Sequence, residues 1–361
     1  MNATAQLHAL GQSLWLDNIT RDLLESGTLA RYIAEWSVTG LTSNPTIFYN
    51  AIKGSNDYDA AIRSKLKAGL SGDAMFFELA VDDIARAADL FRRVFERTNG
   101  VDGWVSLEVS PLLAHDTQST LVAAKDLHAR VGRPNVFIKI PGTDEGLPAI
   151  EEAIFAGIPV NVTLLFSREH YAASADAYLR GIERRIAARL DPNVASVASL
   201  FISRWDVAVA GKVSATLKNR LGIAIGQRTY KAYCDLIATP RYRRVQNEGG
   251  RPQRLLLAST GTRDPQASDV MYVQALPAPF TVNTMPELTL KAFADHGKVG
   301  APIPADGGDC ESVLAQYLAA GVDIDALAAR LQSEVAASFV QSWNELLGVL
   351  AAKSGILDKA A

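Results

Sequence analysis

The sequence predicts a parallel α/β protein, a closed (β/α)8 TIM barrel with additional helices and a helical C-terminal tail, on three observations. Eight short runs rich in β-branched and aromatic residues alternate with stretches of helical period, which implies parallel strands joined by crossover helices. No turn of the Asn-Gly hairpin type joins two of the runs. The turn after the first run, Asp17-Asn18-Ile19-Thr20, has no glycine, so the dinucleotide fingerprint of an open doubly wound sheet is missing. Eight units in 361 residues suit a single barrel domain over 1–361, with 285–361 as a helical part packed on it.

The elements follow in order. Ser13 to Asn18 is a first short strand, and Arg21 to Trp36 is helical with an interruption near Gly27. Val38 to Thr42 is a second strand, closed by Ser43-Asn44-Pro45. Helices are expected over Thr46–Ile52, Tyr58–Ala68 and Asp73–Arg97, the last with apolar residues at strict helical spacing. Trp104 to Val109 is a strand and Thr117 to Val131 a helix. The strand Val136-Phe137-Ile138-Lys139-Ile140 is stopped by Pro141 and Gly142, with Thr143-Asp144-Glu145 as cap and acidic first turn of the next helix. Strands follow at Pro159 to Phe166, Ser196 to Ser203 and Arg254 to Ser259, with helices over Arg168–Leu190 and, in one or two pieces, Asp206–Ile237. Val270 to Leu276 is read as the eighth strand, and the chain from Met285 onward as helical.

Composition excludes several classes. A hydrophobic content of 48% with 21% charged residues is enough for a sizeable core. A formal net charge of -3 argues against a nucleic-acid partner or an anionic membrane. No apolar run approaches the ~20 residues of a spanning helix, and Met1 to Leu16 lacks the basic start and apolar core of a secretory signal. Cys234 and Cys310 have no paired-motif spacing and read as free thiols, with a disulfide as second choice. The expectation is a soluble, cytoplasmic protein, with monomer and homodimer both open. The five histidines show no metal-ligand spacing, and nothing calls for a metal or a cofactor.

One lysine carries the functional reading. Lys139 stands in an apolar strand, where a cation costs several kcal/mol unless it is paired or sheds its proton. The alternative is a lysine that snorkels from an edge strand. Strand parity separates the two. With Val136, Ile138 and Ile140 packed on helices, Lys139 and Phe137 face the lumen. The same rule turns Trp104, Ser106 and Glu108 inward, together with Asn161 and Thr163, with Asp17 beside Trp15, and with Ser199 beside Val197 and Phe201. Six consecutive strands thus deliver Asp17, Asn44, Glu108, Lys139, Asn161 with Thr163, and Ser199 to one end of one cavity, where barrels place their chemistry. Each has a plainer role open to it. Asn44 before Pro45 makes a helix N-cap, and Asp17 could cap the helix after it. Asn161 and Thr163 could satisfy each other. Arg204 and Arg263 could be solvated loop residues, and the cluster Arg241, Arg243, Arg244, Arg251 and Arg254 reads as solvated surface.

A lumenal lysine among carboxylates and amides suits carbonyl chemistry through a Schiff base. The amine must be neutral to attack, and apolar surroundings lower its pKa from ~10.4. In that chemistry Glu108 would relay a proton through water, and Asp17 would take the proton of the hydroxyl whose carbon–carbon bond breaks. Asn44, Asn161 and Ser199 would position a polyol, while Arg204 and Arg263 would hold a phosphate.

Taken together, Leu16-Asp17-Asn18, Thr42-Ser43-Asn44-Pro45-Thr46, Val105-Ser106-Leu107-Glu108-Val109, Phe137-Ile138-Lys139-Ile140, Asn161-Val162-Thr163-Leu164-Leu165-Phe166 and Ser199-Leu200-Phe201-Ile202-Ser203-Arg204 resemble the transaldolases. Arg204-Trp205-Asp206, Ala258-Ser259-Thr260-Gly261-Thr262 and Thr281-Val282-Asn283-Thr284 are similar to the longer bacterial members. The resemblance runs from Leu14 to at least Asn283. It implies a metal-independent transferase of the pentose phosphate pathway, acting on small-molecule sugar phosphates. A dihydroxyacetone unit would pass from sedoheptulose 7-phosphate or fructose 6-phosphate to glyceraldehyde 3-phosphate or erythrose 4-phosphate. By the family pattern Lys139 is the Schiff-base lysine, Glu108 with Thr163 and a water the proton relay, and Asp17 the general acid/base. Asn44 and Asn161 hold the dihydroxyacetone unit, and Ser199 and Arg204 the phosphate. Arg263 follows a loop longer than in shorter members, which leaves its place as second phosphate ligand open. Two rivals stand beside this reading. One is a fructose-6-phosphate-type aldolase that releases free dihydroxyacetone, a group that carries glutamine where Glu108 stands. The other is a sugar-phosphate-binding barrel without covalent chemistry.

Overall fold

Residues with branched or aromatic side chains on both faces form strands that are buried almost throughout, as parallel strands covered by helices are. In the computed structural model, which describes residues 2–359, eight such strands close into one all-parallel barrel in sequence order. Residue 1 and the last two residues of the expected helical part 285–361 lie outside the described residues. The strands are β1 (Ser13–Asp17), β2 (Val38–Thr42), β3 (Trp104–Glu108), β4 (Val136–Pro141), β5 (Val160–Leu165), β6 (Ser196–Phe201), β7 (Gln253–Ala258) and β8 (Val282–Met285). Register puts the polar residues on common rungs. Glu108 pairs with Lys139 and Lys139 with Asn161 across β3, β4 and β5, and Asp17 pairs with Thr42 across β1 and β2.

Under these rungs the lumen is filled by aromatic rings. Phe137 stacks on Trp104 at 4.2 Å between centroids and lies 6.0 Å from Trp15. Trp15 donates its Nε1 proton to Asp102 Oδ1 at 2.9 Å. Gly40 makes room for that indole, since a Cβ there would sit 2.6 Å from it. Arg254 closes the floor, donating to the Thr281 carbonyl at 2.9 Å and to Ser13 Oγ, so it is not solvated surface as its cluster suggested.

Three expectations change, and one left open is decided. The run Val270 to Leu276 holds a helix, Met271–Ala275, and the eighth strand is Val282–Met285. A short apolar run fits both periods, whereas the true strand carries two adjacent buried polar residues, Asn283 and Thr284, that break its apolar pattern. Of the one or two helices expected over Asp206–Ile237, two form, Ser203–Val209 and Leu221–Ile237. A further helix, Pro240–Asn247, buries only Tyr242 and Val245, too little apolar signal to be seen. The helix after β4 starts at Gly146, with Thr143 Oγ1 accepting from the Gly146 amide at 3.1 Å.

The helix Ile324–Lys359 is the longest element, 36 residues and about 54 Å. It packs on the helices Pro45–Gly54, Asp59–Lys67 and Gly72–Arg97 and reaches β5. Trp343 wedges against Phe76 and Phe77 at 4.9 and 5.5 Å, and Lys353 pairs with Asp59 at 2.8 Å. Among the described residues no single helix is long and apolar enough to cross a membrane.

Candidate active site

The C-terminal ends of the strands open into a cavity of about 370 Å³. Seven of the residues singled out from the sequence line it: Asp17, Asn44, Lys139, Thr163, Ser199, Arg204 and Arg263. Lys139 is only 5% exposed. Its Nζ donates to the Ser43 carbonyl at 3.1 Å and lies 3.1 Å from Glu108 Oε2. The lysine therefore does not snorkel; it is held inside the lumen by a carboxylate and a backbone oxygen.

Glu108 and Asn161 lie behind this wall rather than on it. Asn161 Nδ2 donates to Ser106 Oγ at 3.0 Å, and Ser199 Oγ donates to Asn161 Oδ1 at 2.7 Å. The amide is thus spent on lumenal neighbours, and Thr163 is not among them. Thr163 Oγ1 and Glu108 Oε1 are buried without a hydrogen-bond partner among the described residues, whereas Glu108 Oε2 has the Lys139 ammonium beside it. Such oxygens need a polar partner of another kind, an ordered water or a substrate hydroxyl. Asn44 does cap the helix Pro45–Gly54, accepting from the Ile47 amide at 3.0 Å, and lines the cavity as well. Its Oδ1 is committed to the cap, which leaves Nδ2 to donate.

Burial dominates the electrostatics. It pushes the Asp17 carboxyl up, against the opposing pull of Lys139, the Thr42 hydrogen bond and Arg263. It pushes Glu108 up in the same way, against Lys139. Two carboxyls that share one cation in a poorly solvated lumen hold protons more readily than in water, as groups that exchange protons with a substrate require. Elsewhere in the cavity wall burial, and then the charge of Arg263, push the Arg204 guanidinium down. Arg204 Nε is buried and unpartnered among the described residues. Two arginines face one space, a natural seat for an anion with several oxygens.

Several neighbours escaped the sequence reading. Thr42 Oγ1 donates to Asp17 Oδ1 at 2.7 Å and lies 2.7 Å from Thr284 Oγ1. Strand parity in β2 would have found it. Ser259 holds a left-handed backbone at φ 55 and lies 2.9 Å, oxygen to oxygen, from Ser203 at the arginine side. Phe339, from the C-terminal helix, also lines the cavity; nothing local in that helix separates it from ordinary core residues. Among the described residues no cluster of histidine, cysteine and carboxylate side chains could hold a metal ion.

A buried lysine at the mouth of a parallel barrel, flanked by carboxyls and faced by arginines, defines a class suited to carbonyl chemistry on an anionic substrate. Within that class the chain belongs to the transaldolase/fructose-6-phosphate aldolase family, which its residues 14–350 match. It is 44% identical to the transaldolase of Frankia alni over 363 residues, covering 98% of each chain. It is 44% identical to the transaldolase of Saccharopolyspora erythraea, over 96% of this chain and 97% of the other. Transaldolase 2 of a Nostoc species is 39% identical over 99% of both.

Proposed function

We propose that the protein is a transaldolase, a transferase that moves a dihydroxyacetone unit between sugar phosphates through a Schiff base on Lys139. The donors are ketose phosphates, sedoheptulose 7-phosphate or fructose 6-phosphate. The acceptors are glyceraldehyde 3-phosphate or erythrose 4-phosphate, which places the reaction in the pentose phosphate pathway. The observation that carries this reading is the position of Lys139 Nζ, buried 3.1 Å from Glu108 in a cavity that Arg204 and Arg263 also line. Relatives that bear the name transaldolase along nearly their whole length support it.

The Lys139 amine adds to the ketose C2 carbonyl, and loss of water gives an iminium, with Glu108 and Thr163 passing protons through an intervening water. Asp17 takes the proton of the C4 hydroxyl, the C3–C4 bond breaks, and its electron pair moves into the iminium to give an enamine. The shortened aldose phosphate leaves. The enamine C3 then attacks the acceptor aldehyde, whose oxygen takes the proton from Asp17, and water added at C2 frees the new ketose and the amine. Asn44, Asn161 and Ser199 orient the hydroxyls, Asn161 acting through Ser199. Arg204 and Arg263 clamp the phosphate.

The aldolase alternative is disfavoured by Glu108, which stands where that group carries glutamine. The test is borohydride reduction in the presence of fructose 6-phosphate, followed by peptide mapping. A stable adduct on the peptide containing Lys139 is expected, and Lys139→Ala should lose both adduct and turnover while keeping its fold. An adduct elsewhere, or none, sinks the mechanism. Release of free dihydroxyacetone in excess of acceptor-dependent transfer would turn the assignment to an aldolase.

A further inference from the structure

The C-terminal helix meets the cavity at Phe339 and the strand ends next to it at Gln332. Gln332 Nε2 donates to the Gly142 carbonyl at 3.1 Å and to the Leu164 carbonyl at 3.0 Å. These oxygens stand at the ends of the two strands that carry Lys139 and Thr163. Leu164 is in the left-handed region at φ 63, where the pairing of β5 with β6 shifts register, so its carbonyl has left the sheet ladder. About two turns further along the same face, Phe339 reaches the cavity wall beside Lys139 and Thr163. Its ring centroid is 5.9 Å from Lys139 Nζ, and the residue is 6% exposed.

We propose that Phe339 is a positioning residue that shields the Lys139-bound intermediate from water, so that the enamine is passed to an aldehyde instead of being released. This rests on the Schiff-base reading above. Release and transfer part at one step. In transfer the enamine C3 bonds to the acceptor aldehyde; in release a solvent proton bonds to C3 instead, and on both paths a water then adds to C2 of the resulting iminium, freeing the ketone and the lysine amine. A phenyl ring beside that nitrogen offers no proton and occupies volume through which solvent would reach the enamine. Its face also attracts the positive iminium and ammonium forms, within the range where a ring stabilises a cation. Gln332 fixes the helix to both strand ends, so the ring is held at one height above the lysine. The rest of the helix is anchored away from the mouth, at Trp343 and Lys353.

A residue that served only the core would change stability and overall rate, leaving unchanged the ratio of release to transfer. That ratio is the test. The full chain is given fructose 6-phosphate with erythrose 4-phosphate, in deuterated water, and free dihydroxyacetone is counted per transfer. Phe339→Ala should raise the ratio by about tenfold, the scale on which a small change in an apolar wall discriminates between two transition states, with deuterium in the released product. Phe339→Leu should raise it less, and both should still form the borohydride adduct on Lys139. An unchanged ratio in both variants with the adduct intact overturns the role of Phe339 alone. Absence of the adduct in the unmodified protein overturns the Schiff-base reading, and this role with it. Should Phe339→Ala fail to fold, Phe339→Leu and Gln332→Ala carry the same comparison.

Discussion

Thr42 shows how one hydroxyl can set the working range of a buried acid. Asp17 is raised by burial, and the bond from Thr42 works against that rise. Removing the donor leaves burial less opposed, so the carboxyl must rise further. In the proposed mechanism Asp17 has to be ionised to take a hydroxyl proton, so the acidic limb of the activity profile should track its pKa. Thr42→Val is expected to move that limb to higher pH while the isosteric side chain keeps the packing. The shift should be on the order of one pH unit, the scale of ~1.4 kcal/mol for one charge-assisted hydrogen bond. A profile of kcat/KM against pH checks this; a limb that stays in place, or moves down, removes Thr42 from the mechanism. Thr284, on the far side of the same hydroxyl, gives the companion variant Thr284→Val, expected to leave the Thr42 bond to Asp17 and the limb in place.

At the scale of elements, the site depends on strands that stack in a fixed register over an aromatic floor. Trp15 lies two residues before Asp17 on the same face of β1 and is pinned by Asp102 and Phe137. Gly40→Ala would drive a methyl group to 2.6 Å from its indole. The ring cannot yield without leaving Asp102 or Phe137, so overpacking should cost about 1–3 kcal/mol. Urea unfolding should show that loss, with lower activity as Asp17 shifts; unchanged stability would mean the floor is looser than its geometry shows. The strands themselves were legible because burial on both faces leaves a plain mark: long branched runs, and polar residues whose parity could be followed. Lys139, Glu108, Thr163 and Ser199 point where that parity sent them. What failed did so for identifiable reasons. β8 was missed because Asn283 and Thr284, adjacent polar residues buried on opposite faces of a four-residue strand, disguise it; Thr260 supplies Asn283 Oδ1 with a hydroxyl at 2.9 Å. Phe339 was illegible because it continues the buried apolar stripe of Leu331, Val335 and Trp343, and only the path of a 36-residue helix decides which of them reaches the cavity.

At the scale of the whole molecule, the charge balance is uneven. The chain carries a formal net charge of -3, and much of its surface arginine is matched, as Arg180, Arg184 and Arg241 are by Glu151, Glu152, Asp176 and Glu183. Arg204 and Arg263 differ. Among the described residues neither has a carboxylate within ion-pair distance, and the charge of Arg263 makes that of Arg204 costlier to hold. An anion that binds between them relieves that repulsion, and only in the folded state, so it must stabilise the fold by mass action. Inorganic phosphate at a hundredfold excess over its dissociation constant should add about 2.7 kcal/mol, read as a rise in Tm. Potassium chloride at matched ionic strength should not reproduce it, since screening lacks the directed hydrogen bonds of the fork. Arg204→Ala should abolish the phosphate-dependent rise, and Arg204→Lys should restore only part of it, because an ammonium keeps the charge without the bidentate geometry. Arg263→Ala divides the remaining question: a reduced rise makes it the second ligand, and a rise equal to that of the unmodified protein assigns the anion to Arg204 without it. An equal rise in Arg204→Ala would place the bound phosphate elsewhere on the molecule and remove the anion seat from this cavity.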